Sequence, residues 1–311
     1  MTLAFVFPGQ GSQSVGMMST FAEQYPVVQS TYIEASEVLG YDLWDLVQNG
    51  PDIELNITSK TQPALLTASV ATWRIWIGRD GPIPAMMAGH SLGEYSALVC
   101  AGTLTFQDAI ALVADRGSCM QTAVPEGVGS MAAILGLTGA EVIDICKQSA
   151  QGQIVAAANF NSSDQIVIAG HAEAVRRAVD AARQAGAKRS VLLAVSVPSH
   201  CVLMQKAAQE FSKRIETIAL SLLQIPVIHN VDASQKTDTK AIKQALVEQL
   251  YKPVRWVETV QAMAIKGVTH IVECGPGKVL CGLIKRIEQQ VVALPVNDPV
   301  SLEMALSKLK S

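Results

Sequence analysis

Residues 84–101 read Pro84-Ala85-Met86-Met87-Ala88-Gly89-His90-Ser91-Leu92-Gly93-Glu94-Tyr95-Ser96-Ala97-Leu98-Val99-Cys100-Ala101. The centre, Gly89-His90-Ser91-Leu92-Gly93, fits G-x-S-x-G, in which a serine sits on a sharp strand-to-helix turn. The flanks suit that context. Pro84–Ala88 is a short apolar run that predicts a buried strand, and Glu94–Ala101 is helix-compatible, with Gly102 placed to stop it. On such a turn the serine backbone is strained and its hydroxyl projects outward. Glycines on both sides let neighbouring chain pass close by. The helix that follows points its first N–H groups at the same spot, where an oxyanion gains stabilisation. The competing reading of the motif alone is a Gly-Ser turn with no chemistry.

Outward from this turn, strand and helix patterns alternate. Leu3–Phe7 reads as a first strand, closed by Pro8-Gly9-Gln10-Gly11-Ser12-Gln13, and helical patterning follows through Leu39. Thr61–Trp76 reads as a long buried helix feeding the strand of the turn. Thr105, with Asp108 three residues on, opens a further helix in the manner of a capping box, running to about Ala123. Pro125-Glu126-Gly127-Val128-Gly129 breaks this pattern. Beyond it come strand Met131–Leu135, helix Thr138–Ser149, strands Ile154–Ala158 and Gln165–Ala169, helix His171–Ala185 with Gly186 past its end, and strand Arg189–Val195. The order βαββαβ is that of a ferredoxin-like unit. After Pro198 the larger pattern resumes with helix His200–Leu222, strand Pro226–Val231, helices Thr239–Tyr251 and Pro253–Ile265, and strand Thr269–Glu273. Gly275-Pro276-Gly277-Lys278 and another helix follow. The predicted fold class is α/β, with a mostly parallel sheet covered by helices on both faces. That sheet belongs to a large domain of residues 1–124 and 196–311, into which a small ferredoxin-like domain, residues 125–195, is inserted.

Composition bounds the function. The chain has 311 residues, 49% hydrophobic and 16% charged, enough for one large domain or two smaller ones with a sizeable core. A net charge of −3 argues against a nucleic-acid partner. No apolar run is long enough to span a bilayer, and the N-terminus lacks the basic start of a signal peptide. The six cysteines, Cys100, Cys119, Cys146, Cys201, Cys274 and Cys281, form no C-x-x-C and read as reduced thiols of a cytoplasmic protein. The five histidines show no metal-ligand spacing, so no metal is expected.

A serine nucleophile needs a base. His90 lies within the turn, where its side chain is expected to point away from Ser91. His171 opens a helix and serves as a cap. His229 and His270 fall in strand patterns, where a core histidine is the ordinary reading. His200 follows Val197-Pro198-Ser199, where the chain leaves the inserted unit, and junctions between domains line clefts. His200 is therefore the first candidate. No Asp or Glu stands out as a third member, and more than a hundred residues follow His200, unlike the usual hydrolase order. Arg116 shares a helix stripe with Leu112 and Met120. It either snorkels outward or meets an anion in a partly buried place, as a bidentate clamp for a carboxylate. Gly9-Gln10-Gly11-Ser12-Gln13-Ser14 lacks the third glycine of a dinucleotide fingerprint. Gly275-Pro276-Gly277-Lys278 lacks P-loop spacing.

Four segments together carry a family resemblance: Phe7-Pro8-Gly9-Gln10-Gly11-Ser12-Gln13, Gly89-His90-Ser91-Leu92-Gly93-Glu94, Val197-Pro198-Ser199-His200 and Glu273-Cys274-Gly275-Pro276-Gly277. In this order they resemble the signature segments of the malonyl-CoA:acyl carrier protein transacylases, over nearly the whole chain. The resemblance implies roles. Ser91 is the acyl-accepting nucleophile and His200 its base. The backbone N–H groups of Gln10 and Leu92 form the oxyanion hole. The backbone carbonyl of Gln249 stands in for a triad acid. Arg116 holds the malonate carboxylate, and Asn159 and Asn161 face the cleft as substrate-binding residues. It further implies ping-pong transfer of malonyl from malonyl-CoA to acyl carrier protein for fatty-acid elongation, without a cofactor, by a cytoplasmic monomer with no membrane partner. Lys188-Arg189 and Lys285-Arg286 are short basic pairs that an acidic carrier protein suits, although solvated surface charge is the more ordinary reading of each. The rivals are a serine hydrolase or thioesterase, a transferase for another acyl unit such as methylmalonyl, and a non-catalytic carrier-binding protein.

Overall fold

The computed structural model describes residues 1–195 and 197–310. Ser196, where the second segment of the large domain was expected to begin, and Ser311 lie outside the described residues. Among the described residues nine strands occur: β1 (Leu3–Phe7), β2 (Met86–Gly89), β3 (Gly129–Leu135), β4 (Val155–Ser162), β5 (Gln165–His171), β6 (Arg189–Leu192), β7 (Val227–Ile228), β8 (His270–Cys274) and β9 (Val292–Val296). They form two sheets, one of order β7-β2-β1-β8-β9 and one of order β4-β5-β3-β6.

Every pairing in the five-stranded sheet is parallel. A parallel sheet needs cover on both faces, and the sequence of β1 supplies it. All five of its residues are buried. Leu3, Phe5 and Phe7 point to one face, where they pack with Met87, Val272 and helices that include Thr58–Gly78 and Phe106–Ala123. Ala4 and Val6 point to the other, with Met86, Ala88, Ile271 and the helices Trp256–Ile265 and Val279–Ile287. Strand period therefore divides the large core into two layers.

The four-stranded sheet is antiparallel throughout. Its strand order and its two helices, Gly139–Ala150 and Ala172–Gln184, are those of the expected βαββαβ unit. In β3, Ala132 and Ile134 face the two helices, whereas Met131 and Ala133 face the other way, onto Cys201 and Leu203. The bare face of the small sheet thus packs on the segment that carries His200. Thr138 closes a full capping box with Glu141 at the first of these helices. Thr105 caps the Phe106–Ala123 helix by accepting from the Asp108 N–H at 3.2 Å.

Some expected bounds shift. The helix expected over His200–Leu222 is a short 3-10 turn, Val202–Met204, followed by Gln205–Glu216. His200 has a φ of 63°, which a right-handed helix excludes. At the far end, Ser221 and Gln224 donate their N–H groups to the carbonyls of Thr103 and Ala101, which draws the chain out of helix. The strand expected over Pro226–Val231 shortens to β7 because the Asn230 N–H is taken by the Glu94 carboxylate instead of a neighbouring strand. β9 and the closing helix Pro299–Lys310 complete the sheet edge.

Candidate active site

β1 and β2 end side by side, with Phe7 opposite Gly89. The loops that leave them, Pro8–Gln13 and His90–Leu92, therefore emerge together at the carboxyl edge of the parallel sheet, where α/β folds place their ligands. The turn is built by close contact. A Cβ on Gly93 would overlap the Phe7 carbonyl, one on Gly89 the Gly93 backbone, and one on Gly9 the His90 carbonyl. The His90 N–H donates to the Phe7 carbonyl at 3.0 Å. Ser91 is held at a φ of 52°, a left-handed conformation that costs a non-glycine residue about 1–2 kcal/mol and persists only where its surroundings dictate it.

Ser91 Oγ lies 2.8 Å from His200 Nε2. His200 Nδ1 lies 2.7 Å from the backbone carbonyl oxygen of Gln249. A carbonyl only accepts, so Nδ1 carries the hydrogen and Nε2 presents its lone pair to the serine hydroxyl. His200 is buried, and its own left-handed backbone is fixed by its N–H donating to the Leu250 carbonyl at 2.9 Å. Burial, with the Arg116 guanidinium second, pushes its pKa down to about 3, so the imidazole is neutral and able to take a proton at neutral pH.

Arg116 is fully buried beneath the serine. Its Nη2 donates to Gln249 Oε1 at 2.9 Å and to Ser91 Oγ at 3.3 Å, and its Nη1 donates to Gln62 Oε1 at 2.8 Å. The guanidinium carbon sits 5.3 Å from the Tyr95 ring centroid. Nε meets no acceptor among the described residues. Burial lowers the Arg116 pKa, the direction expected for a cation taken out of water.

The remaining sequence candidates fall around this centre. Gln10 follows the Gly9 contact, and its Oε1 lies 3.5 Å from Gln62 Nε2, at the edge of the same network. Leu92 is the first residue of the turn after Ser91 and precedes the Gly93–Cys100 helix. Asn161, on β4, lies with Oδ1 2.8 Å from His90 Nε2. His90 thus faces the small domain, and burial lowers its pKa. Asn159, also on β4, leaves its buried Oδ1 without a partner among the described residues. Its backbone bridges to Val254, so it stands at the seam between the small sheet and the large one. His171 does not cap its helix. Its Nδ1 accepts the Ile154 N–H at 2.9 Å instead. Among the described residues no group of three or more His, Cys, Asp or Glu is placed to hold a metal ion.

The sequence reading passed over a second ring of residues. Asn230 Oδ1 accepts the Ser91 N–H at 2.7 Å, and its Nδ2 donates to the Gly89 carbonyl at 2.7 Å, which clamps the turn from below. Glu94 is fully buried and accepts from His229 Nδ1 at 2.7 Å, the Asn230 N–H at 3.0 Å and Gln249 Nε2 at 2.7 Å. Gln62 sits in the long Thr58–Gly78 helix, where it passed for core. One sequence signal marks this ring: a glutamate directly after the G-x-S-x-G turn, in an otherwise largely apolar helix.

A serine hydroxyl, an imidazole and a buried guanidinium meet at the carboxyl edge of a parallel α/β sheet, and the class of protein that carries this arrangement here is an acyltransferase. The chain belongs to the acyl transferase domain family, whose pattern matches residues 4–301. It is 56% identical over 305 residues to the malonyl CoA-acyl carrier protein transacylase of Salmonella typhimurium, covering 98% of this chain and 99% of that one. The transacylase of Bacillus subtilis strain 168 is 43% identical over 309 residues, covering 99% and 97%. Among solved structures, the Coxiella burnetii transacylase superposes with a TM-score of 0.99 at 50% identity, covering 100% of this chain and 98% of that one. A malonyl-transacylase in complex with its type II PKS acyl-carrier protein superposes with a TM-score of 0.98 at 56% identity, covering 99% and 100%.

Proposed function

We propose that this enzyme transfers the malonyl group of malonyl-CoA to the phosphopantetheine thiol of acyl carrier protein, through a malonyl ester on Ser91, and so supplies fatty-acid elongation. The observation that carries this reading is the meeting of Ser91 Oγ with His200 Nε2 at 2.8 Å and Arg116 Nη2 at 3.3 Å. The near-full-length similarity to malonyl CoA-acyl carrier protein transacylases selects the acyl group and the acceptor.

The chemistry runs in two halves at one site. Ser91 Oγ attacks the thioester carbonyl carbon while its proton passes to His200 Nε2. The Nδ1–H bond to the Gln249 carbonyl holds the imidazole in the receptive tautomer and stabilises the imidazolium that forms. The carbonyl oxygen becomes an oxyanion, for which the backbone N–H groups of Gln10 and Leu92 are the assigned donors; one such donor is worth about 3–4 kcal/mol. The carbon–sulfur bond breaks, His200 returns the proton to sulfur, and CoA leaves as a thiol. The carrier thiol then attacks the serine ester by the reverse route, its proton going to His200 and back to Ser91. The substrate carboxylate pairs with Arg116, and the unpartnered Nε supports that role. Asn159 and Asn161 are assigned to the acyl-carrying arm at the seam of the two sheets. Residues 1–124 and 196–311 form the catalytic domain in this reading and 125–195 the small one. The exposed pairs Lys188-Arg189 and Lys285-Arg286 suit an acidic carrier. Six free cysteines fit a reducing, cytoplasmic setting, and the enzyme acts as a monomer.

Brief mixing with malonyl-CoA in the absence of acceptor tests the proposal. Mass spectrometry is expected to find one malonyl group on the peptide holding Ser91, and none on the Ser91→Ala protein. A label on another peptide, or turnover that survives Ser91→Ala, removes the assignment. Release of free malonate with no transfer to a carrier thiol marks a hydrolase instead.

A further inference from the structure

Arg116 is fully buried, yet its acceptors among the described residues are all neutral: the side-chain oxygens of Gln62 and Gln249 and the Ser91 hydroxyl. A buried cation without a counter-charge is costly. The counter-charge lies one side chain away. The Gln249 amide takes the guanidinium on Oε1 and donates from Nε2 to Glu94 Oε2 at 2.7 Å. It is a neutral spacer between a buried cation and a buried anion. Glu94 is anchored from two further directions, by His229 Nδ1 at 2.7 Å and by the Asn230 N–H at 3.0 Å. Asn230 in turn holds the Ser91 N–H. One carboxylate therefore reaches both the guanidinium and the nucleophile's backbone without touching either.

We propose that Glu94 is a positioning residue that balances the charge of Arg116 through the Gln249 amide, leaving the guanidinium held in place but open to a substrate carboxylate. A carboxylate in direct contact would occupy the same donors and compete with the acyl group. The same charge placed one amide farther away offsets the cost of burying Arg116 without filling its coordination. This inference rests on the malonyl-transfer reading and adds how anionic selectivity is set.

The test measures binding in the Ser91→Ala background, where malonyl-CoA and acetyl-CoA bind without reacting. Isothermal titration calorimetry compares this parent with proteins that also carry Glu94→Gln, Glu94→Asp or Gln62→Glu. Glu94→Gln keeps the shape and removes the charge; its amide oxygen can accept from the Asn230 N–H and Gln249 Nε2, and its NH2 then donates to His229 Nδ1 in the other tautomer. The acyl carboxylate is then the sole local counter-charge. Malonyl-CoA is expected to bind about tenfold more tightly, the order of one charge removed several ångströms away at an effective dielectric near 20. Acetyl-CoA affinity stays as in the parent. Glu94→Asp, which keeps the charge, retains the parental ratio of the two affinities. Gln62→Glu brings a carboxylate into direct contact with Arg116 and is expected to weaken malonyl-CoA at least about tenfold while sparing acetyl-CoA. This arm tests the direct-contact argument whether or not Glu94→Gln folds. Equal shifts for the two donors, no shift in Glu94→Gln, or an intact malonyl preference in Gln62→Glu each overturns the proposal. If the parent itself binds both donors equally, the substrate assignment falls first and the counter-charge role with it.

Discussion

The proposed selectivity of the site rests on one side chain, Arg116. Its guanidinium is out of water, and its Nε meets no acceptor among the described residues. A site built to bond a charged group rejects the analogue lacking it, because its own polar atoms are then left unpaired. Arg116→Ala is expected to lower kcat/KM for malonyl transfer about 100- to 1000-fold, the loss of a charge-assisted, desolvated pair. The malonyl-to-acetyl ratio is expected to fall by a similar factor, since acetyl-CoA has no carboxylate to lose. Steady-state kinetics with both donors decides it; an unchanged ratio would falsify the clamp. At this scale legibility followed side-chain chemistry. Ser91 was marked by its glycines and Arg116 by its place in an apolar stripe. His200 was marked by the junction it follows. The partner of His200 Nδ1 was invisible to residue logic, because a backbone carbonyl can come from any residue. Asn230 and Glu94 were missed because their work is done on backbone N–H groups and amides, which no spacing rule encodes.

The strand–turn–helix element is where packing fixes the chemistry. β1 and β2 run parallel and the Gly93–Cys100 helix rises from between them, its first residue pressed on the Phe7 carbonyl. A methyl there cannot be absorbed by a side-chain rotation, since the obstacle is strand backbone. Gly93→Ala is expected to cost about 1–3 kcal/mol or more by overpacking. By moving Ser91 it should also slow enzyme malonylation, about 100-fold for an ångström of displacement. Gly282→Ala is the control. Gly282 lies inside the Val279–Ile287 helix, and a Cβ there meets nothing within 4 Å. It should leave malonylation unchanged and add about 0.5–1 kcal/mol of stability. Chemical denaturation and single-turnover labelling of both proteins check this, and equal behaviour of the two variants would refute the close-contact account. Elements were legible where local pattern and tertiary demand agreed, as at the Thr105 cap. They were misjudged where long-range bonds overrode the pattern, as in the Ser221–Gln224 stretch tied to residues 101–103.

The arrangement of the whole molecule has a consequence for its acid stability. The small sheet lays its bare face on the His200 segment, and Asn161 of that sheet reaches His90, so His200 is buried and His90 partly buried where the two sheets meet. Burial lowers the pKa of each, that of His200 to about 3. In the unfolded chain both titrate near 6.5. Between those values the unfolded chain binds protons that the native protein refuses, so stability rises with pH and is lost as pH falls below about 6.5. For His200 alone the loss between pH 7 and pH 5 is about 2 kcal/mol. Buried Glu273 has a raised pKa and works in the opposite sense, native protonation favouring the fold at the acid end of the range. Subtracting a His200→Gln protein from the wild type cancels that contribution and the surface carboxylates. The wild-type unfolding free energy, from urea titrations at half-unit steps, is therefore expected to fall more steeply than the variant's from pH 6.5 to pH 5, the gap closing by about 2 kcal/mol. Parallel curves would mean that His200 takes up its proton in the native protein as readily as in the unfolded chain. The neutral base proposed for Ser91 would then be largely lost at mildly acidic pH.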